Sequence, residues 1–208
     1  GGNTFLAGDL NDVDFKIDRL FKEGGDNVYG LGVTLEGLDV NPLMYEFVFE
    51  RAWENSIPAH QWVANWAQCR GGNVDNHIIK AWKQLYEKIY TSAALCGQAV
   101  LMNARPQLEG VEGWNTLPGY DYKNIDLWEI WKELLKAEGV YHFDVINVGR
   151  QVLGNLFADY RDKFADCYRK KDLEGTKVWG QRMDQLLLDV DRLLCCSPVL
   201  SIGKWIKD

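Results

Sequence analysis

From Pro58 onward the apolar residues of this chain recur every three or four positions in one long segment after another, with hardly any strand-like alternation. Such a pattern needs helix packed on helix to cover its apolar stripes, so the bulk of the chain is predicted to be a helical domain. Helices are placed at about 59 to 69, 75 to 92, 126 to 138, 142 to 170 and 174 to 195, with Ser197-Pro198 interrupting the last. Phe143, Ile146, Val152, Leu153, Leu156 and Phe157 follow the helical repeat, which marks the long segment from 142 as a packing element. Between these segments, Arg105 to Asn124 holds Pro106, Gly110, Gly113, Pro118 and Gly119, and reads as a long irregular loop carrying Trp114, Tyr120 and Tyr122. Its aromatic rings suit either a wall of a carbohydrate cleft or an anchored surface loop.

The first 58 residues have a different character. Asn11 to Phe21 places Val13, Ile17, Leu20 and Phe21 at helical intervals, and Val28 to Val33 reads as a strand in which Gly30 and Gly32 permit close backbone approach. Thr34-Leu35-Glu36-Gly37 follows as a loop, and Asn41 with Pro42 is a capped start for a helix running to about Trp53. Helix, strand, loop and helix in this order form one repeat of a β/α barrel, in which catalytic groups sit where strands give way to loops. Glu36 occupies such a point.

Composition narrows the functional classes. With 47% hydrophobic and 25% charged residues the chain is that of a folded protein. A net charge of −7 argues against a sequence-independent grip on nucleic acid, and Arg169-Lys170-Lys171 is followed at once by Asp172, as on a solvated helix face. The five cysteines and three histidines lack metal-ligand or redox spacing, so neither metal nor cofactor is expected, and the cysteines read as buried free thiols. Nine tryptophans can serve as sugar platforms, but most stand beside Leu and Ile at helical spacing, where core packing is the expectation. No apolar run reaches the length of a membrane span.

The stretch Gly30-Leu31-Gly32-Val33-Thr34-Leu35-Glu36-Gly37, followed by Asn41, Tyr45 and Trp53, resembles the barrel-end motif of glycoside hydrolase family 89 α-N-acetylglucosaminidases. Leu35 stands where the family often has Pro. The likeness continues through Met102-Asn103, Trp128 to Leu135, and the helices from Tyr141 to Trp205 with Asp144, Arg150-Gln151 and Tyr160, and Gly1-Gly2-Asn3 is similar to a motif on the preceding barrel loop. The resemblance implies a mainly α chain: the end of a (β/α)8 barrel over residues 1–58, then an α-helical C-terminal domain, truncated, over 59–208. It implies a retaining exo-glycosidase acting on terminal α-linked N-acetylglucosamine, with Glu36 as nucleophile, Asn3 as a substrate-binding residue, and the acid/base carboxylate on the rest of the barrel, upstream of Gly1.

On this reading the piece by itself turns nothing over. The resemblance further implies a lysosomal setting for animal members and a secreted or periplasmic one for bacterial members, and the lack of an Asn-x-Ser/Thr acceptor points to the latter. Two alternatives stand beside it: a helical interaction module with an exposed apolar groove, in which Glu36 is incidental, and a family member that kept the fold without turnover.

Overall fold

The computed structural model describes residues 6–34, 41–53, 57–71, 75–92, 108, 120–139 and 141–207. Helices dominate. In chain order they are α1 (Leu10–Gly24), α2 (Pro42–Arg51), α3 (Ala59–Gly71), α4 (Asn76–Lys88), α5 (Asn124–Leu134), α6 (His142–Arg169), α7 (Leu173–Leu194) and the short α8 (Ile202–Lys207). From α3 to α7 each packs on its neighbour in sequence, and α6 and α7 form a long antiparallel hairpin. Its turn uses Lys171 in the left-handed region (φ 57°), after which Asp172 accepts a hydrogen bond from the Gly175 amide at 2.9 Å to cap α7.

The core explains this order. Phe47 of α2 meets Trp62 of α3 edge to face at 5.0 Å, Trp62 stacks near Trp66, and Trp66 meets Trp82 of α4 at 4.6 Å. Around this aromatic line Leu43, Ile78, Leu85, Leu127, Ile130 and Leu134 are almost wholly buried, and Val148 and Val152 bring in α6. Each such side chain contributes roughly 1.5–3 kcal/mol relative to exposure. Where α5 crosses α6, the Trp131 ring lies 2.6 Å from the place a Cβ would take on Gly149, so only glycine lets the helices approach this closely.

Several expectations need correction. The segment from Val28 to Thr34 forms no strand: Tyr29 is 96% exposed, and no described residue pairs with it in a ladder. Valine and tyrosine propensity cannot hold an extended segment as a strand when no neighbouring backbone satisfies it. The strand pairing that the described residues do contain is antiparallel and minimal, with β1 (Gly8–Asp9) against β2 (Thr91–Ser92) in the register Gly8↔Ser92 and Asp9↔Thr91. Trp53 is 91% exposed and so is not core, unlike Trp62, Trp66 and Trp82. Leu20 is likewise exposed, because α1 packs mainly on α2 and α3 and its stripe is only partly covered.

The cysteines differ too. Cys69, Cys195 and Cys196 are exposed and Cys167 is half-buried, because they fall on outer faces and helix ends rather than on the apolar stripe. Cys96 and Trp114 lie outside the described residues. Among the described residues no helix is long and apolar enough to cross a membrane.

One buried carboxylate carries a pH signature. Glu133 at the end of α5 is 6% exposed and receives His77 Nδ1 at 2.8 Å, Lys80 Nζ at 3.0 Å and Lys136 Nζ at 3.2 Å. His77 first, then the two lysines, hold its carboxyl down to about 2. A carboxyl depressed on folding contributes stability above its unfolded pKa, and that contribution is lost as pH falls through the folded value. Glu133→Gln is therefore expected to lower stability at pH 7 and to remove part of the loss seen between about pH 5 and 2, read by denaturant midpoints across that range. Parallel curves for the two proteins would contradict this.

Candidate functional site

Glu36 and Asn3 lie outside the described residues, as do residues 35–40 as a whole. The structure does show how the described chain that follows each of them is held. Leu6 and Ala7 come shortly after Asn3, and Asn41 comes five residues after Glu36; all three are buried.

Asn41 opens α2, as the sequence predicts, and its carbonyl accepts from the Met44 and Tyr45 amides at 3.1 and 3.4 Å. Its side chain does not cap the helix. Instead Oδ1 accepts from the Ala7 amide at 3.2 Å and from the Tyr90 hydroxyl at 3.1 Å. Asn41 is 3% exposed and Tyr90 0%, so these bonds form where an unpaired polar group is costly, roughly 1–3 kcal/mol. Burial pushes the Tyr90 hydroxyl far above the ordinary phenol range, which keeps it a neutral donor.

A second set of bonds reaches the same segment from α6. Gln151 accepts from the Leu6 amide at 3.0 Å through Oε1 and donates to Asn155 Oδ1 at 2.8 Å. Asn155 in turn donates to Asn124 Oδ1 at 3.1 Å, and Asn124 donates to the Val152 carbonyl at 3.2 Å, tying α5 to α6. Tyr122 sits beside Asn155 with its ring stacked on Tyr120 at 4.6 Å, and burial raises both hydroxyls well above the phenol range. Of the long loop read from the sequence, this pair is described, and it is anchored inward.

Charge holds α2 from both sides. At its end Arg51, 2% exposed, pairs with Asp14 at 2.9 Å and with Asp18, both on α1. Burial raises the Asp14 carboxyl, and Arg51 opposes that rise. On the other side Glu46 accepts from Trp66 Nε1 at 2.5 Å and from Arg70 Nη1 at 3.3 Å. Arg70 forks onto Asp144 of α6, with Nε to Oδ2 at 2.8 Å and Nη2 to Oδ1 at 3.0 Å, and its guanidinium lies 4.8 Å from the ring centres of both Trp66 and Tyr141. Desolvation raises the Asp144 carboxyl, while Arg70 works against it.

The arrangement is thus a pair of backbone segments, leading from Asn3 and from Glu36, drawn together on one buried amide and fixed from the helical side. Residues 62–208 match the family model of the alpha-N-acetylglucosaminidase (NAGLU) C-terminal domain, and residues 1–55 match that of the NAGLU tim-barrel domain. The chain belongs to the alpha-N-acetylglucosaminidase family.

It is 24% identical over 218 residues to human alpha-N-acetylglucosaminidase, covering 100% of this chain and 29% of that relative. A family 89 glycoside hydrolase from Clostridium perfringens in complex with PUGNAc superimposes with a TM-score of 0.84 at 21% identity, covering 99% of this chain and 24% of that one. A variant of the C. perfringens enzyme in complex with its substrate GlcNAc-alpha-1,4-galactose gives a TM-score of 0.83 at 19% identity, with the same coverage. The chain therefore spans less than a third of the relatives it matches, and the fold is that of a barrel end followed by an α-helical C-terminal domain.

Within the family framework, the sequence reading named Asp144 and Gln151 only as part of the family likeness, and what it missed is the buried polar network of the helical part. It took α6 as a packing element, yet Asp144, Asn147, Gln151 and Asn155 are all buried on it. Their signal was present: polar side chains at 144, 147, 151 and 155 recur at helical spacing among the apolar ones, and a polar stripe on a buried face needs partners.

Proposed function

We propose that the chain is the barrel-end and helical part of a retaining exo-glycosidase that removes terminal α-linked N-acetylglucosamine from glycans or glycosaminoglycans. The division falls at about residue 58, with the barrel end before it and the helical domain after it. Glu36 acts as the nucleophile on the anomeric carbon and Asn3 contacts the sugar. The acid/base carboxylate comes from the remainder of the barrel, since no residue here fits its motif, and two such groups about 5 to 5.5 Å apart define retention.

The observation that carries this reading, beside family membership, is the convergence on Asn41: the segments following Asn3 and Glu36 end within one hydrogen-bond network. A network that fixes the chain next to a reacting group supports the close positioning that catalysis needs. The test is the stereochemistry of hydrolysis of an aryl α-N-acetylglucosaminide by the intact protein, followed by proton NMR. The α-anomer is expected as the first product; a first-formed β-anomer would replace the covalent route by direct displacement by water.

One observation favours a second reading. An apolar groove of about 310 Å³ lies open among Leu134, Leu135, His142, Val145, Ile146, Leu193 and Cys196, which is the feature an interaction module would display. Absence of turnover in the intact protein would move the assignment to that module or to a family member without activity.

A further inference from the structure

We infer that Tyr90 and Gln151, both in the part of the chain matching the C-terminal domain, are positioning residues for the glycosidase site: they hold Asn41 and Leu6, the points of the described chain that follow Glu36 and Asn3 in sequence. This rests on the reading of Glu36 given above. Four connections cross from the helical part to the barrel-end part at one place. The Tyr90 hydroxyl donates to Asn41, the Gln151 amide oxygen accepts from Leu6, the Tyr90 carbonyl accepts from the Leu10 amide at 3.3 Å, and β2 pairs with β1 immediately beyond. Leu10 is itself wholly buried, so the register of residues 6 to 10 on the helical part is tightly specified.

The two side chains act on different segments. Tyr90 reaches Asn41, five positions after Glu36 and at the start of α2; Gln151 reaches Leu6, three positions after Asn3. Gln151 is 5% exposed, and its amide is oriented because Nε2 is committed to Asn155. Neither residue touches the reacting atoms in this account. Each acts by removing alternative placements of a backbone segment, and a displacement of about 1 Å at a reacting group can cost roughly a hundredfold in rate.

The experiment uses the intact protein and an aryl α-N-acetylglucosaminide. Tyr90→Phe deletes one oxygen and keeps the ring in its buried site; kcat is expected to fall roughly tenfold while KM stays within about twofold, as for a nucleophile held less firmly. Gln151→Leu acts on the Asn3 side and is expected to raise KM about fivefold with kcat nearly unchanged, which keeps the test readable where Tyr90→Phe lowers the yield of folded protein. Leu186→Ala, in the α6–α7 hairpin, serves as a control that costs stability without moving either constant.

A double-mutant cycle separates positioning from general softening. In a Glu36→Ala background supplied with azide there is no carboxylate left to position, so adding Tyr90→Phe is expected to change the rescued rate by less than about twofold. The same tenfold loss in both backgrounds, or wild-type constants in both Tyr90→Phe and Gln151→Leu, would overturn the positioning role while leaving Glu36 in place. Full turnover by Glu36→Ala alone removes the nucleophile reading, and the positioning role with it.

Discussion

With Glu36 in the proposed role of nucleophile, Glu36→Ala in the intact protein is expected to abolish hydrolysis of an aryl α-N-acetylglucosaminide, by roughly 10³-fold or more, because the proposed covalent route is deleted rather than weakened. Azide should restore turnover. A small anion can enter the space left by the carboxylate and attack the anomeric carbon from the face opposite the leaving group. The product is then the β-glycosyl azide, which identifies the face as well as the residue. A Glu36→Ala protein that keeps normal turnover, or one whose loss azide cannot repair while its folding is intact, would take the nucleophile assignment away from this position. An aryl leaving group is used because it needs little protonation, so the measurement isolates the attacking group from the acid/base partner.

Arg70→Ala is expected to cost about 3–5 kcal/mol of stability, the largest structural effect foreseen for a single polar substitution here. Asp144 is 3% exposed, and its two oxygens meet Arg70 at 2.8 and 3.0 Å. Removing the guanidinium leaves a buried carboxylate without its principal counter-charge, and also takes away the cation–π contacts to Trp66 and Tyr141. The remaining carboxyl will titrate upward, since desolvation already raises it against the pull of Arg70. Replacing both partners by apolar residues, Arg70→Met with Asp144→Leu, should recover much of the loss, because nothing charged then stays buried. Denaturant unfolding of the two proteins decides it. A loss of under about 1 kcal/mol for Arg70→Ala would mean that water reaches the pair and that it behaves like a surface ion pair.

These effects belong to different levels of the molecule, and the sequence revealed them unequally. The helical segments were legible because periodicity is a local property: the predicted helices near 59, 75, 126, 142 and 174 correspond to α3 through α7, within a few residues at their ends. The start of α2 at Asn41-Pro42 was legible for the same reason, since proline at the first turn loses no hydrogen bond. The motif around Glu36 was legible as a family likeness, and the family is now shown. The Val28 to Val33 strand failed because a strand is defined by its neighbours, and local propensity says nothing about whether they are there to pair.

What the amino-acid order determined alone was the helical architecture, the punctuation of its turns, and the motif on which Glu36 stands. Only the tertiary structure decided that Asn41 turns its side chain from its own helix to Ala7 and Tyr90, and that Gln151 reaches Leu6 across 145 positions. The physical reason is the reach of the interactions. Helical periodicity and caps are settled within a few residues, whereas a buried amide takes whichever partners the packed core brings within about 3 Å, and those partners have no fixed distance along the chain.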